Sequence, residues 1–97
     1  MNLTYAQRRK LKALAHHLRP VVQVGKKGNT EELASAVDRA LTDHELIKVK
    51  FVGFKEEKHE IIEALAGSAK CAVVGVIGHV AILYRPSPDE KKRTIRV

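Results

Sequence analysis

The 97-residue chain has no tryptophan, two tyrosines, two phenylalanines and a single cysteine. One cysteine excludes an intramolecular disulfide, and Cys71, set in the apolar stretch Cys71-Ala72-Val73-Val74, reads as a buried structural thiol. Tyr5, Phe51, Phe54 and Tyr84 are too few aromatics to support recognition of bases by stacking across a sheet. The longest apolar run, Cys71 to Ile77, is far shorter than the roughly 20 residues that cross a membrane. The N-terminus is amphipathic and basic, without the hydrophobic stretch and cleavage site of a signal peptide, so a cytoplasmic protein with no membrane partner is expected. His16, His17, His44, His59 and His79 fall in no zinc-binding spacing. Ser35, Ser68 and Ser87 sit in no nucleophile elbow. No metal, no cofactor and no catalytic constellation is expected, which points away from an enzyme.

Acid is also missing where it would matter. Between Tyr5 and Lys27 there is no Asp or Glu, although the chain holds 11 of them against 18 Lys and Arg, for a net charge of +7. The acids gather instead in the segments read below as the second and third helices. That asymmetry implies one basic working side able to attract a polyanion. The length fits one domain with a modest core.

Thr4 and Gln7 have the spacing of a capping box. Leu11, Leu14, Ala15 and Leu18 then recur at helical steps, predicting a helix from Tyr5 to Leu18 that stops at Pro20. Val21 to Val24 is β-branched and runs into Gly25, predicting a short strand. Asn29 or Thr30 can cap a second helix whose stripe is Leu33, Val37, Ala40 and Leu41 and which ends near Asp43. Leu46 to Val52 alternates, with Ile47, Val49 and Phe51 on a core face and Lys48 and Lys50 on a partly wet one. A third helix is predicted from Glu56 to Ala66, closed by Gly67. Cys71 to Ile77 and His79 to Tyr84 form a hairpin about Gly78. The order α-β-α-β-α-β-β implies a two-layer α/β domain over residues 1–86 with a mixed four-stranded sheet, followed by a mobile basic tail over 87–97.

A strand entering Gly25-Lys26-Lys27-Gly28 ahead of a capped helix gathers free backbone N–H groups and the positive end of a helix dipole at one point, which suits a phosphate. The glycines at both corners permit positive φ and close approach, and Lys26 and Lys27 supply charge without reading sequence. The same four residues also describe an ordinary basic turn; their position before a capped helix favours the phosphate reading. On the first helix Tyr5, Arg8, Arg9, Lys12, His16 and Arg19 fall opposite the leucines and form a cationic stripe with an aromatic, either a phosphate-tracking surface or a solvated face. At the end of the last strand Tyr84 could stack on a base and Arg85 bind phosphate, or the pair could be an edge-strand Tyr beside a snorkelling Arg. The candidate RNA-binding set is therefore Gly25, Lys26, Lys27 and Gly28 with Arg8, Arg9, Lys12, Arg19 and Arg85.

Three linked motifs, Val22-Gln23-Val24-Gly25-Lys26-Lys27-Gly28, His44-Glu45-Leu46-Ile47-Lys48-Val49 and Gly75-Val76-Ile77-Gly78 leading to Ile82-Leu83-Tyr84-Arg85, resemble the CRM domain (chloroplast RNA splicing and ribosome maturation), in its stand-alone bacterial YhbY-like form. The resemblance covers about residues 3 to 86. It implies a fold related to the C-terminal domain of the third translation initiation factor and binding to precursor large-subunit ribosomal RNA; a monomer is expected. It also implies that Gly25 to Gly28 form the RNA-binding loop. The expected function is non-enzymatic assistance of ribosome assembly through structured RNA, with no DNA-specific site. The competing expectation is a basic adaptor that meets an acidic protein, its RNA contact being incidental.

Overall fold

In the computed structural model, which describes residues 2–53 and 56–97, helix α1 spans Tyr5–Ala15. It opens with the expected capping box: Thr4 Oγ1 accepts the Gln7 N–H at 3.1 Å and Gln7 Oε1 accepts the Thr4 N–H at 2.9 Å. The helix ends before Leu18, because Pro20 disfavours helical geometry just ahead of it and the chain must turn into the sheet. Of its expected stripe, Leu11 and Ala15 are fully buried, but Leu14 and Leu18 remain 45 % and 38 % exposed.

Strand β1 (Val22–Val24) leads to helix α2 (Glu31–His44), in which Thr30, rather than Asn29, is the cap, its Oγ1 accepting the Leu33 N–H at 3.1 Å. Strand β2 (Leu46–Phe51) follows, then helix α3 (Lys58–Ala69) and the hairpin of β3 (Ala72–Ile77) and β4 (Val80–Tyr84). Helix α3 starts two residues after the expected Glu56 and runs through Gly67. Ala69 is drawn into the core, and Lys70, at φ 53°, supplies the left-handed cap expected of Gly67. Phe54, together with Met1 and Lys55, lies outside the described residues.

The sheet order is β1-β2-β4-β3. β1 and β2 are parallel and the other two pairs antiparallel, so the expected mixed sheet is present. Ile47, Val49, Phe51, Ala81 and Leu83 face α2 and α3 and join Leu33, Val37, Leu41, Ile61, Ile62 and Leu65 in the larger core. Leu46, Val74, Ile82 and Tyr84 point to the opposite side and pack on Leu11 and Ala15 of α1. The expectation of two layers is corrected by this second core: the sheet is sandwiched, with α1 as a third layer. Cys71 belongs to the larger core, where burial pushes its thiol pKa up.

The chain after β4 departs from the expected free tail. Glu45, buried with 3 % exposure at the end of α2 and held at φ 64°, gathers this segment through its carboxylate. Oε2 accepts the Ser87 N–H at 2.7 Å, and Oε1 accepts the Thr94 N–H at 2.7 Å, the Thr94 hydroxyl at 2.9 Å and the Ile95 N–H at 3.3 Å. Ile95 packs against the α1 core. A 3₁₀ turn, Glu90–Lys92, is capped by Asp89, whose Oδ1 accepts the Lys91 N–H at 3.0 Å.

Burial alone would raise the Glu45 carboxyl, but the donors from Ser87, Thr94 and Ile95 outweigh it and hold its pKa below the ordinary value. A lowered folded-state pKa contributes stability that is complete above the unfolded value and is lost as pH falls through the folded one. Acidification through and below the usual glutamate range should therefore release the segment. The Thr94 and Ile95 amide resonances, followed against pH, should titrate together below the ordinary glutamate value; amides indifferent to pH there would contradict the latch.

Candidate nucleic-acid interface

The glycine-lysine loop sits at the end of the sheet where β1 and β2 finish and β4 begins. The Gly28 N–H donates to the Gly25 carbonyl at 3.1 Å, closing a tight turn with Lys26 and Lys27 exposed at its tip. Only Gly28 needs its freedom, at φ 66°; Gly25 does not adopt positive φ, which corrects the expectation for both corners. A side chain at Gly28 would also meet Ile61 Cδ1 at 3.8 Å, so the loop lies directly over the start of α3. Glu57 and Glu60 line the same shallow depression as Lys26 and Lys27. Acid thus stands on one flank of the loop, and the open cationic side faces away from α3.

That open side continues onto the sheet. Val22 and Val24 face the larger core, so Gln23 points to the α1 side, and its register partner is Lys50. Lys50 pairs in turn with Val80 and Val80 with Ile77, which is 63 % exposed. The neighbouring row runs Lys48, Ile82, Gly75. A Cβ on Gly75 would come within 2.7 Å of Lys12 Cε and 3.3 Å of its Nζ. The absent side chain at Gly75, beside the β3 irregularity between Val73 and Gly75, is what lets the Lys12 stem of α1 cross the strand and deliver its ammonium over the sheet. Lys12, Lys48 and Lys50 thereby share one face, which carries on from the loop. Lys48 and Lys50 were absent from the candidates read from sequence. Their alternation put them on a wet face, but only the register brings that face beside Lys12 and the loop.

The remaining candidates divide. Arg8, Arg9 and Arg19 are exposed, as is Tyr5 at 81 %. Arg85 is engaged elsewhere. Its Nη1 donates to Asp38 Oδ1 at 2.7 Å and to the Ala69 carbonyl at 2.8 Å, and its Nη2 to the Asp38 carbonyl at 2.9 Å and to Thr42 Oγ1 at 3.0 Å. This guanidinium joins the end of β4 to α2 and the end of α3, and its donors are turned inward, so the expectation of a phosphate contact there is corrected. Tyr84 is only 4 % exposed and packs beside Leu11, which leaves no face for a base; burial raises its hydroxyl pKa.

Among the described residues no group of three or more His, Cys, Asp and Glu side chains could hold a metal ion, and no helix is long and apolar enough to cross a membrane. The loop with Lys12, Lys48 and Lys50 thus forms one cationic end and face of the mixed sheet, a surface whose charge attracts polyanions.

The chain belongs to the CRM family: residues 3–85 match the model of the CRS1 / YhbY (CRM) domain. It is 48 % identical over 90 residues to a Haemophilus influenzae protein named RNA-binding protein, spanning 92 % of this chain and 91 % of the relative. It is 37 % identical over 91 residues to the Bacillus subtilis relative named Probable RNA-binding protein YqeI, spanning 93 % of this chain and 95 % of that one. Among solved structures, a hypothetical protein from Staphylococcus aureus, determined in solution, superimposes with a TM-score of 0.80 at 34 % identity over 98 % of this chain and 100 % of its own.

Proposed function

We propose that this chain is a non-enzymatic RNA-binding protein of the cytoplasm that acts as a monomer on precursor large-subunit ribosomal RNA and assists assembly of the particle. The observation that carries the RNA reading is the continuity of the Lys26-Lys27 loop with the face bearing Lys12, Lys48 and Lys50. Five cations share one open side, and none of them forms a salt bridge among the described residues. Lysine ammoniums on flexible stems over a rigid sheet neutralise phosphates without selecting bases, so recognition rests on backbone shape. The names of relatives that span most of the chain support the same ligand class.

The ribosomal assignment rests on the family resemblance and is tested in cells. In extract sedimented at low salt, the protein should migrate with large-subunit precursors, and nuclease treatment should release it. A protein that stays at the top of the gradient would overturn the assignment. One recovered with a single acidic protein after complete nuclease digestion would replace it with the adaptor role.

A further inference from the structure

The segment after β4 is built against the body of the domain through Ile95, while its charged side chains beyond Arg85 face solvent. Lys91, Lys92, Arg93 and Arg96 crowd the last seven residues. All four are exposed, and none forms a salt bridge among the described residues. Their backbone is nevertheless fixed. Ser87, Thr94 and Ile95 donate to the buried Glu45 carboxylate, Arg93 Nε donates to the Ser87 carbonyl at 2.7 Å, and Ile95 is packed beside Leu11 and Tyr84. A chain end that served only to cover Leu46 and Tyr84 would need Ile95 but not a cationic outer face.

Between this strap and the start of α1 lies an open cavity of about 690 Å³, with Asn2 and Gln7 on the helix side and Lys91, Arg93 and Arg96 on the strap side. Glu90 is the one acid on its wall. Beyond Gln7 the exposed Arg8 begins the α1 stripe that leads to Lys12. The strap therefore lies on the same side of the sheet as the lysine face, at the opposite end. The register places Lys50 opposite Val80 at the loop end and Leu46 opposite Tyr84 at the strap end. The four residue steps from Leu46 to Lys50 separate these ends by roughly 13 Å at about 3.3 Å per step.

We infer that the latched C-terminal strap is a second RNA-contacting element, so that one RNA chain is held at two ends of the sheet with α1 between them. This rests on the RNA-binding reading of the loop and adds to it a length requirement. A mononucleotide can occupy one end only; a polynucleotide reaches both, and its second contact is intramolecular and correspondingly favoured. The latch matters because ordering the strap in advance removes an entropic cost from binding.

The test uses the full chain and a synthetic RNA hairpin with single-stranded flanks, titrated by fluorescence anisotropy at several salt concentrations. The charge reversal Lys91→Glu, Lys92→Glu, Arg96→Glu spares Arg93, Thr94 and Ile95, so the latch persists and the fold is unchanged. It should lower affinity at least about fivefold and make the plot of log K against log salt shallower by about 1–2, at about 0.7 per phosphate contact. Glu45→Gln keeps the size of the side chain but sets an NH₂ group against backbone donors. It should expose the strap to protease and lower affinity by a similar factor. Competition by a mononucleotide should be equally weak for the wild-type chain and the charge-reversed variant. If the charge-reversed variant binds the hairpin with wild-type affinity and slope while Lys26→Asp, Lys27→Asp does not bind, the strap is structural only and this inference falls alone. If both bind normally, the reading of the loop falls with it.

Discussion

Lys26→Asp combined with Lys27→Asp should lower RNA affinity at least about tenfold, equivalent to about 1.4 kcal/mol, while the circular dichroism spectrum and melting temperature stay close to wild type. Both side chains are exposed, and the Gly28 N–H bond to the Gly25 carbonyl at 3.1 Å, which makes the turn, involves neither of them. Exposed substitutions away from caps and core shift stability by about 0.5 kcal/mol or less, and new acids ahead of α2 are tolerated by its dipole. Binding should suffer more than the loss of two attractions implies, because Glu57 and Glu60 already flank the loop and the variant would face phosphate with four carboxylates. Lys58 makes a poor control, since its Nζ donates to the Gly78 carbonyl at 2.7 Å and ties α3 to the hairpin. Lys70→Asp is better: it is exposed, caps α3 at the other end of the domain, and aspartate tolerates its left-handed geometry. That variant should bind RNA within about twofold of wild type, a difference of roughly 0.4 kcal/mol.

Arg85→Ala should do the reverse, lowering stability by about 2–3 kcal/mol and leaving RNA affinity intact wherever the protein is folded. Asp38 is 63 % exposed on its side chain, so the ion pair itself is worth little. The cost comes from the bonds to the Asp38 and Ala69 carbonyls and to Thr42, charge-assisted contacts that hold three elements together. For a domain of this size the melting temperature should drop by roughly 10–20 °C. Arg85→Lys should recover less than half of that loss, because a single ammonium lacks the planar fork that meets separate acceptors on two helices. Calorimetry beside an RNA titration at low temperature decides the matter. A stable Arg85→Ala protein with weakened RNA binding would return Arg85 to the interface.

What could be read from the chain alone was what depends on near neighbours. Thr4 with Gln7, the alternation from Leu46 to Phe51, and Gly25 to Gly28 before a capped helix all carry their information within a few residues. What local pattern does not carry depends on partners far away in the chain. Arg85 meets Asp38 across 47 residues of sequence and Glu45 meets Thr94 across 49, so an arginine that looked free and a tail that looked loose were both committed to contacts without local sign. Leu14 and Leu18 looked like core because a helical stripe gives periodicity but not the width of what covers it. Lys48 and Lys50 were legible as outward-facing and yet not as part of a site, since strand order alone sets them beside Lys12 and the loop.

RNA should lie across the loop and the lysine face of the sheet, not across α2 and α3. Titration of the ¹⁵N-labelled protein with the flanked RNA hairpin, followed by amide chemical shifts, tests it most directly. The predicted result is a contiguous set of perturbations at Gly25 to Gly28, Gln23, Lys48, Lys50 and Gly75, extending along α1 through Lys12, with the outer surfaces of α2 and α3 unmoved. Perturbations confined to α2 and α3, or an unmoved Gly25–Gly28 loop at saturating RNA, would contradict it.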